Sequence, residues 1–180
     1  MFDIEQLQSA WLGHRPFANW LVQHIHPRIT VELGVDYGYS LFSLCERNRG
    51  VVYGIDSFVG DVHSGHHTDA ENIVNNVISR NNYTNIRIIK GFFDDVALTW
   101  NKKIDILHID GLHTYESTRS NWLIWRQFLS ERGVVLFHDT ISYPNDVGRL
   151  FNEINLPKYN FQHSAGLGVI SYDYILIEDL

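Results

Sequence analysis

"RITVELGVDYGYSLFSLCERN", residues 28–48, carries the decision about the fold. It opens as a β-branched apolar run over 28–34 and stops at Gly34. A run without polar alternation suits a strand buried on both faces. Over 40–48 the apolar residues return at helical spacing, and Ser40 stands where an N-cap belongs. Two glycines, Gly34 and Gly38, bracket the turn between strand and helix. A strand that enters a helix through such a turn is the first half of a βαβ unit.

The same alternation continues downstream. "GVVYGID" (50–56) reads as a strand and 57–69 as a polar loop rich in glycine and histidine. A helix over 69–81 follows, then the strand "IRIIKG" (86–91) and a short helix over 93–100. "IDILHID" (104–110) is a strand, 116–130 a helix, "GVVLFHD" (133–139) a strand and 145–154 a helix. Trp122, Trp125 and Phe128 share one side of the 116–130 helix and read as core packing. Upstream, 2–13 has a spacing close to helical, and 16–25 reads as a helix with Pro16 at its start. The tail reads as two extended segments, "YNFQHSA" and "GLGVISYDYILIED", joined by a glycine-containing turn.

Five alternations of strand and helix mean βαβ crossovers and a parallel sheet covered on both faces. The fold class is α/β: a Rossmann-like, doubly wound, mostly parallel sheet. The last two strands are too close in sequence for a crossover, so they form an antiparallel hairpin at one edge. The expected layout is one domain over 1–180, with 1–27 as N-terminal helices.

Composition narrows the function. The chain has 180 residues, 44% of them hydrophobic and 19% charged, as in an ordinary globular domain. Its formal net charge of -7 speaks against a nucleic-acid partner, which needs a basic face. Cys45 is the single cysteine, which excludes an intrachain disulfide or a cysteine-rich zinc site. No apolar stretch approaches the roughly eighteen residues of a membrane span, so the expectation is a cytoplasmic protein with no membrane partner. A homodimer is the expectation from symmetry statistics alone.

Ligands of such sheets sit outside the carboxyl ends of the strands. Those ends here are Glu32-Leu33-Gly34, Asp56, Gly91, Asp110 and His138-Asp139. Glycines at the first turn let a ligand approach the backbone, and an acid at Asp56 suits ribose hydroxyls. Asp36 stands where a dinucleotide fingerprint would have its second glycine, so a pyrophosphate is less welcome than a neutral or cationic group. Asp110 and Asp139 end neighbouring strands and can face one hard cation, Mg²⁺ or Ca²⁺. His113, three residues after Asp110, has the pKa range of a general base. His138 is expected to point away from Asp139, because strand side chains alternate. The loop "DSFVGDVHSGHHTD" adds Asp61, His63, His66 and His67, whose spacing is not a strong zinc signature. His108 and Asp105 read as structural.

"VELGVDYGYSLFSL" resembles the cofactor motif of metal-dependent class I S-adenosylmethionine methyltransferases, the catechol and caffeoyl-CoA O-methyltransferases among them. "HIDGLHTYE", "GVVLFHDT", "GIDSFVGDVHSG" and "GLGVI" are similar to a bacterial branch of that superfamily, which includes macrolide-sugar O-methyltransferases and cephalosporin-hydroxylase relatives. The resemblance runs from about residue 28 to residue 171. It implies an S-adenosylmethionine site at Glu32, Gly34, Gly38 and Ser40, with Asp56 and Ser57 at the ribose. Gly91, Phe92 and Phe93 would lie at the adenine, and Asp110 would border the same site. It implies Mg²⁺, or another divalent cation, at Asp110 and Asp139, with Thr140 and Asp61 competing as the third ligand. Catechol-type enzymes have asparagine where Thr140 stands. His113 would be the base, and the acceptor a small molecule, a sugar or a phenol. The competing readings are an NAD-dependent oxidoreductase, a non-catalytic cofactor-binding scaffold and a metal hydrolase; the last leaves the glycine turn unexplained.

Overall fold

The structure is a computed structural model and describes residues 2–63 and 65–180. In chain order the elements are α1 (Arg15–Ile25), β1 (Ile29–Leu33), α2 (Tyr39–Cys45), β2 (Val51–Asp56), α3 (Ala70–Asn81), β3 (Ile86–Lys90), α4 (Phe93–Ala97) and β4 (Ile104–Ile109). Then come α5 (Tyr115–Trp125), β5 (Leu129–His138), α6 (Val147–Glu153), β6 (Lys158–Phe161), β7 (Leu167–Ser171) and α7 (Tyr174–Glu178). The sheet order is β3-β2-β1-β4-β5-β7-β6. β1 to β5 are parallel, and β7 runs antiparallel to both β5 and β6. The expected α/β sheet and its terminal antiparallel pair are both present. The antiparallel β7 also sets this sheet apart from the 3-2-1-4-5-6 order of dinucleotide-binding folds.

Each face of the sheet carries its own apolar core. Leu21, Leu41, Phe42, Val74 and Ile106 belong to one. Leu33, Leu107, Trp122, Trp125 and Phe137 belong to the other. Both tryptophans of α5 are thus packing residues. Asp105 ties the entrances of two strands together, accepting hydrogen bonds from the backbone N–H groups of Arg28 (2.9 Å) and Ile29 (3.2 Å).

Three local expectations are corrected. Residues 2–13 do not form a helix; they hold a 3₁₀ turn at Ile4–Gln6, and a second begins at Leu12. Asp3 accepts from the Glu5 N–H and Ser9 from the Trp11 N–H, and such local side-chain bonds compete with a helical ladder. Ile4, Leu7 and Trp11 are buried all the same, so the apolar spacing reports burial rather than helix. The N-cap of α2 is Gly38, at φ +85°, and Ser40 lies inside the first turn. The last extended segment ends at Ser171, where Asp173 caps α7 by accepting from the Ile175 N–H.

Trp11 is fully buried and donates its indole N–H to His108 Nε2 at 3.3 Å. Trp11→Ala is expected to cost about 3–5 kcal/mol of stability, the usual range for a buried large aromatic. Denaturant titration checks it, and a loss under about 1 kcal/mol would mean that the N-terminal segment does not pack as described.

Candidate active site

β1 lies between β2 and β4, and the chain's crossovers turn in opposite directions from it. A crevice therefore opens at the carboxyl ends of these strands. It has a volume of about 640 Å³ and is lined by Gly34, Asp56, Ser57, Asp61, Gly91, Phe92, Phe93, Asp110 and His113, among others. That size suits a nucleoside-sized ligand. At Gly34 (φ +95°) an added Cβ would lie 2.0 Å from the Asp110 carbonyl oxygen. Only glycine lets the tips of β1 and β4 close this tightly, and the Asp110 N–H completes the junction by donating to Leu33 O at 2.8 Å.

Asp56 organises the wall as well as lining it. One carboxylate oxygen accepts from the Val35 and Asp36 N–H groups (2.7 and 3.1 Å) and the other from the Phe58 N–H (2.7 Å). Both loops flanking the crevice thus hang on this one side chain. Glu32, Gly38 and Ser40 do not line the crevice. Glu32 is wholly buried behind the turn, with its carboxylate 2.8 Å from His108 Nδ1. Burial raises its pKa, and the His108 contact only partly offsets that. Gly38 makes room for the Phe42 ring, which an added Cβ would approach to 2.8 Å.

At the far end of the crevice three ligand-bearing side chains converge. Asp110, His113 and Asp139 each offer one donor atom, all within 4.8 Å of one another. His113 Nε2 is 3.0 Å from Asp139 Oδ2 and 3.5 Å from Asp110 Oδ1. Its ring stacks on Tyr143, with centroids 4.7 Å apart and planes at 10°, and its Nδ1 is buried without a partner. Asp139 is left-handed, at φ +63°. This breaks the strand's alternation, so His138 faces the same carboxylates instead of pointing away. Its Nδ1 is 2.9 Å from Asp139 Oδ2 and 3.4 Å from Asp110 Oδ1.

The electrostatics follow from this crowding. Burial opposes charge on every member, but the pairing outweighs it. Asp139 falls to about 2 and Asp110 lies well below the usual carboxylate range. His113 rises to about 9 and His138 to about 10.

The other candidate ligands go elsewhere. The Thr140 hydroxyl donates to Asn160 Oδ1 at 2.7 Å and is buried. Asp61 lines the crevice and accepts from the His63 N–H, but does not belong to the converging group. The loop histidines diverge: His66 bonds Val59 O, His67 bonds Asp36, and His63 stacks on Tyr143. Sequence reasoning missed Tyr143 and Asn121. Asn121 lies on the crevice wall with a buried, unpartnered Nδ2, and a single asparagine in a helix announces no such role.

Residues 31–140, well over half the chain, match the sequence profile of a family described as a methyltransferase domain. The chain belongs to that family. It is 34% identical, over 96% of its length, to the uncharacterized protein y4gI of Sinorhizobium fredii, and spans only 20% of that protein. Among solved structures, cofactor-bound Rv0187 from MTB superposes with a TM-score of 0.73 at 14% identity, covering 93% of this chain and 82% of that one. The O-methyltransferase from Bacillus cereus, in complex with SAH, gives 0.67 at 15% identity over 88% of this chain and 79% of its own. At these identities the likeness is one of fold.

The cluster carries a pH signature in metal-free protein. Asp139's lowered pKa contributes stability that is complete above 3.8 and lost as pH falls through about 2. The raised histidines contribute stability that is complete below 6.5 and lost as pH rises through about 9 to 10. The melting temperature of metal-free wild type should therefore fall from pH 6.5 to pH 10 more steeply than that of Asp139→Asn. Parallel profiles for the two proteins would contradict the pairing.

Proposed function

We propose that this domain transfers a methyl group from S-adenosylmethionine to a hydroxyl of a small molecule, a sugar or a phenol, with a divalent cation at Asp110 and Asp139. The observation that carries this reading is the charge of the crevice. Asp36, Asp56, Asp61, Asp94, Asp95 and Asp110 line it, and no lysine or arginine does among the described residues. Such a wall repels a pyrophosphate and attracts a nucleoside that carries positive charge. Membership of the methyltransferase domain family supports the same conclusion.

The residues present fit both groups. Gly34, Asp56 and Ser57 would hold the nucleoside and Gly91, Phe92 and Phe93 its base, while Asp110 and Asp139 supply hard oxygen donors for the ion. When bound, the cofactor supplies a methyl group on a sulfonium, and the cation supplies a Lewis acid that lowers the pKa of an acceptor hydroxyl. The rest falls to the chain. Asp56 presents its carboxylate to the crevice while its backbone partners keep it rigid. Asp110 borders both the nucleoside crevice and the ion, so it fixes one relative to the other, and this is the alignment an in-line transfer needs. His113 presents Nε2 on the side of the carboxylates, where it takes the acceptor proton or joins the ion's ligands. The half-buried Tyr143–His113 stack holds that nitrogen in place.

Calorimetry with S-adenosylhomocysteine tests the reading directly: binding is expected, NADH binding is not, and the reverse pattern would sink it. Asp139→Ala should abolish metal-stimulated methyl transfer, whereas undiminished transfer in the presence of chelator would remove the cation from the reaction. His113→Ala should slow transfer about 10²–10⁴-fold and leave S-adenosylhomocysteine affinity nearly unchanged; wild-type rates would refute any role at the reacting oxygen.

A further inference from the structure

We infer that the imidazole of His113 is the third protein ligand of the cation, and that the site therefore selects a nitrogen-binding first-row ion (Fe²⁺, Co²⁺ or Zn²⁺) over Mg²⁺. The inference rests on the reading of Asp110 and Asp139 as ligands of a divalent cation. It departs from the Mg²⁺ that the sequence resemblance implies.

The spacing is that of one coordination sphere. Donors bonded at about 2.1 Å to a shared ion, and at right angles to each other, lie about 3 Å apart. His113 Nε2 meets that spacing at 3.0 Å from Asp139 Oδ2 and 3.5 Å from Asp110 Oδ1. The ring does not swing freely, because Tyr143 stacks on it with centroids 4.7 Å apart and His63 lies 5.8 Å away in a nearly parallel plane. Its side chain is 14% exposed, so the nitrogen is presented from a packed wall. Of the two oxygen donors that could complete an all-oxygen set, Thr140 points at Asn160 and Asp61 lies outside the converging group. A second imidazole reinforces the arrangement. His138 Nε2 lies 3.1 Å from the Ser164 carbonyl, which can only accept, so this nitrogen carries hydrogen. That contact orients Nδ1 onto Asp139 and Asp110, and a carbonyl-anchored imidazole of this kind stiffens the carboxylates it touches.

Ion preference follows from ligand type. Mg²⁺ keeps oxygen ligands and waters, whereas imidazole suits zinc, iron, nickel and copper, and mixed nitrogen and oxygen sites bind later first-row ions progressively more tightly. An imidazole that gives its lone pair to a cation is not free to accept a proton. The inference thus assigns His113 to holding the ion rather than to the base step.

The test uses the whole chain, stripped of metal and titrated calorimetrically with Mg²⁺, Mn²⁺, Co²⁺ and Zn²⁺, with the visible spectrum of the Co²⁺ form as a second readout. Co²⁺ and Zn²⁺ are expected to bind at least about ten-fold more tightly than Mg²⁺. His113→Ala should weaken Co²⁺ about 10–100-fold or more, alter the Co²⁺ spectrum and leave Mg²⁺ little changed, and His113→Phe, which keeps a ring but offers no donor, should do the same if the alanine variant folds poorly. Thr140→Val should keep the wild-type ion preference. Mg²⁺ binding as tightly as Co²⁺, or a His113 variant with wild-type Co²⁺ affinity and spectrum, would overturn the inference. S-adenosylhomocysteine binding is measured on the same samples. Its presence without the ion preference rejects this inference alone, the ion preference without it rejects the methyl-transfer reading alone, and a protein that binds no ion rejects the cation site.

Discussion

The rest of the molecule depends on how closely β1 and β4 approach at their carboxyl ends. A side chain at Gly34 would collide with the Asp110 carbonyl at 2.0 Å, so the junction exists only because position 34 has none. That contact does two things at once. It makes the floor of the crevice, and it sets Asp110 at the boundary between the crevice and the group it forms with His113 and Asp139. Asp56 then ties the loops on either side to the same floor through three backbone hydrogen bonds. Loops strapped to one floor keep the crevice and the cluster in register.

The cluster of Asp110, His113, His138 and Asp139 shows how buried charge is managed. Two carboxylates that crowd one another would repel and be driven toward neutrality. Here two imidazoles approach them at 2.9–3.5 Å, and the carboxylates stay ionised despite burial. The left-handed backbone at Asp139 makes this possible by turning two consecutive side chains onto one side. A non-glycine residue in that conformation carries backbone strain, which such sites commonly store. Behind the cluster, Glu32, His108 and Trp11 form a buried network that supports β1 and β4, and His108 Nε2 comes within 3.9 Å of Asp110 Oδ2.

Much of this was legible in the chain itself. Continuous apolar strands alternating with amphipathic helices announced the parallel sheet, because strands covered on both faces carry no polar alternation. The short last connection announced the antiparallel pair. The strand-end rule picked out Asp56, Asp110 and Asp139, since parallel strands gather their carboxyl ends on one edge. Local reading failed where side chains outcompeted the backbone pattern, as at residues 2–13, and where one dihedral angle reversed a direction, as at Asp139.

The sequence by itself determined the class of fold, the edge of the sheet that holds the site and the acids that face it, because periodicity and strand order are local properties of the chain. Only the tertiary structure decided which of those residues meet. Glu32 and Ser40 belong to the same motif as Gly34 yet lie behind it, while Asn121, in no motif, reaches the wall and Tyr143 stacks on His113. Thr140 and His113 were candidates for different tasks, and packing gave the hydroxyl to Asn160 and left the imidazole facing the carboxylates. Convergence of side chains from distant segments depends on packing depth and on single backbone angles, and neither is written in the spacing of residues along one chain.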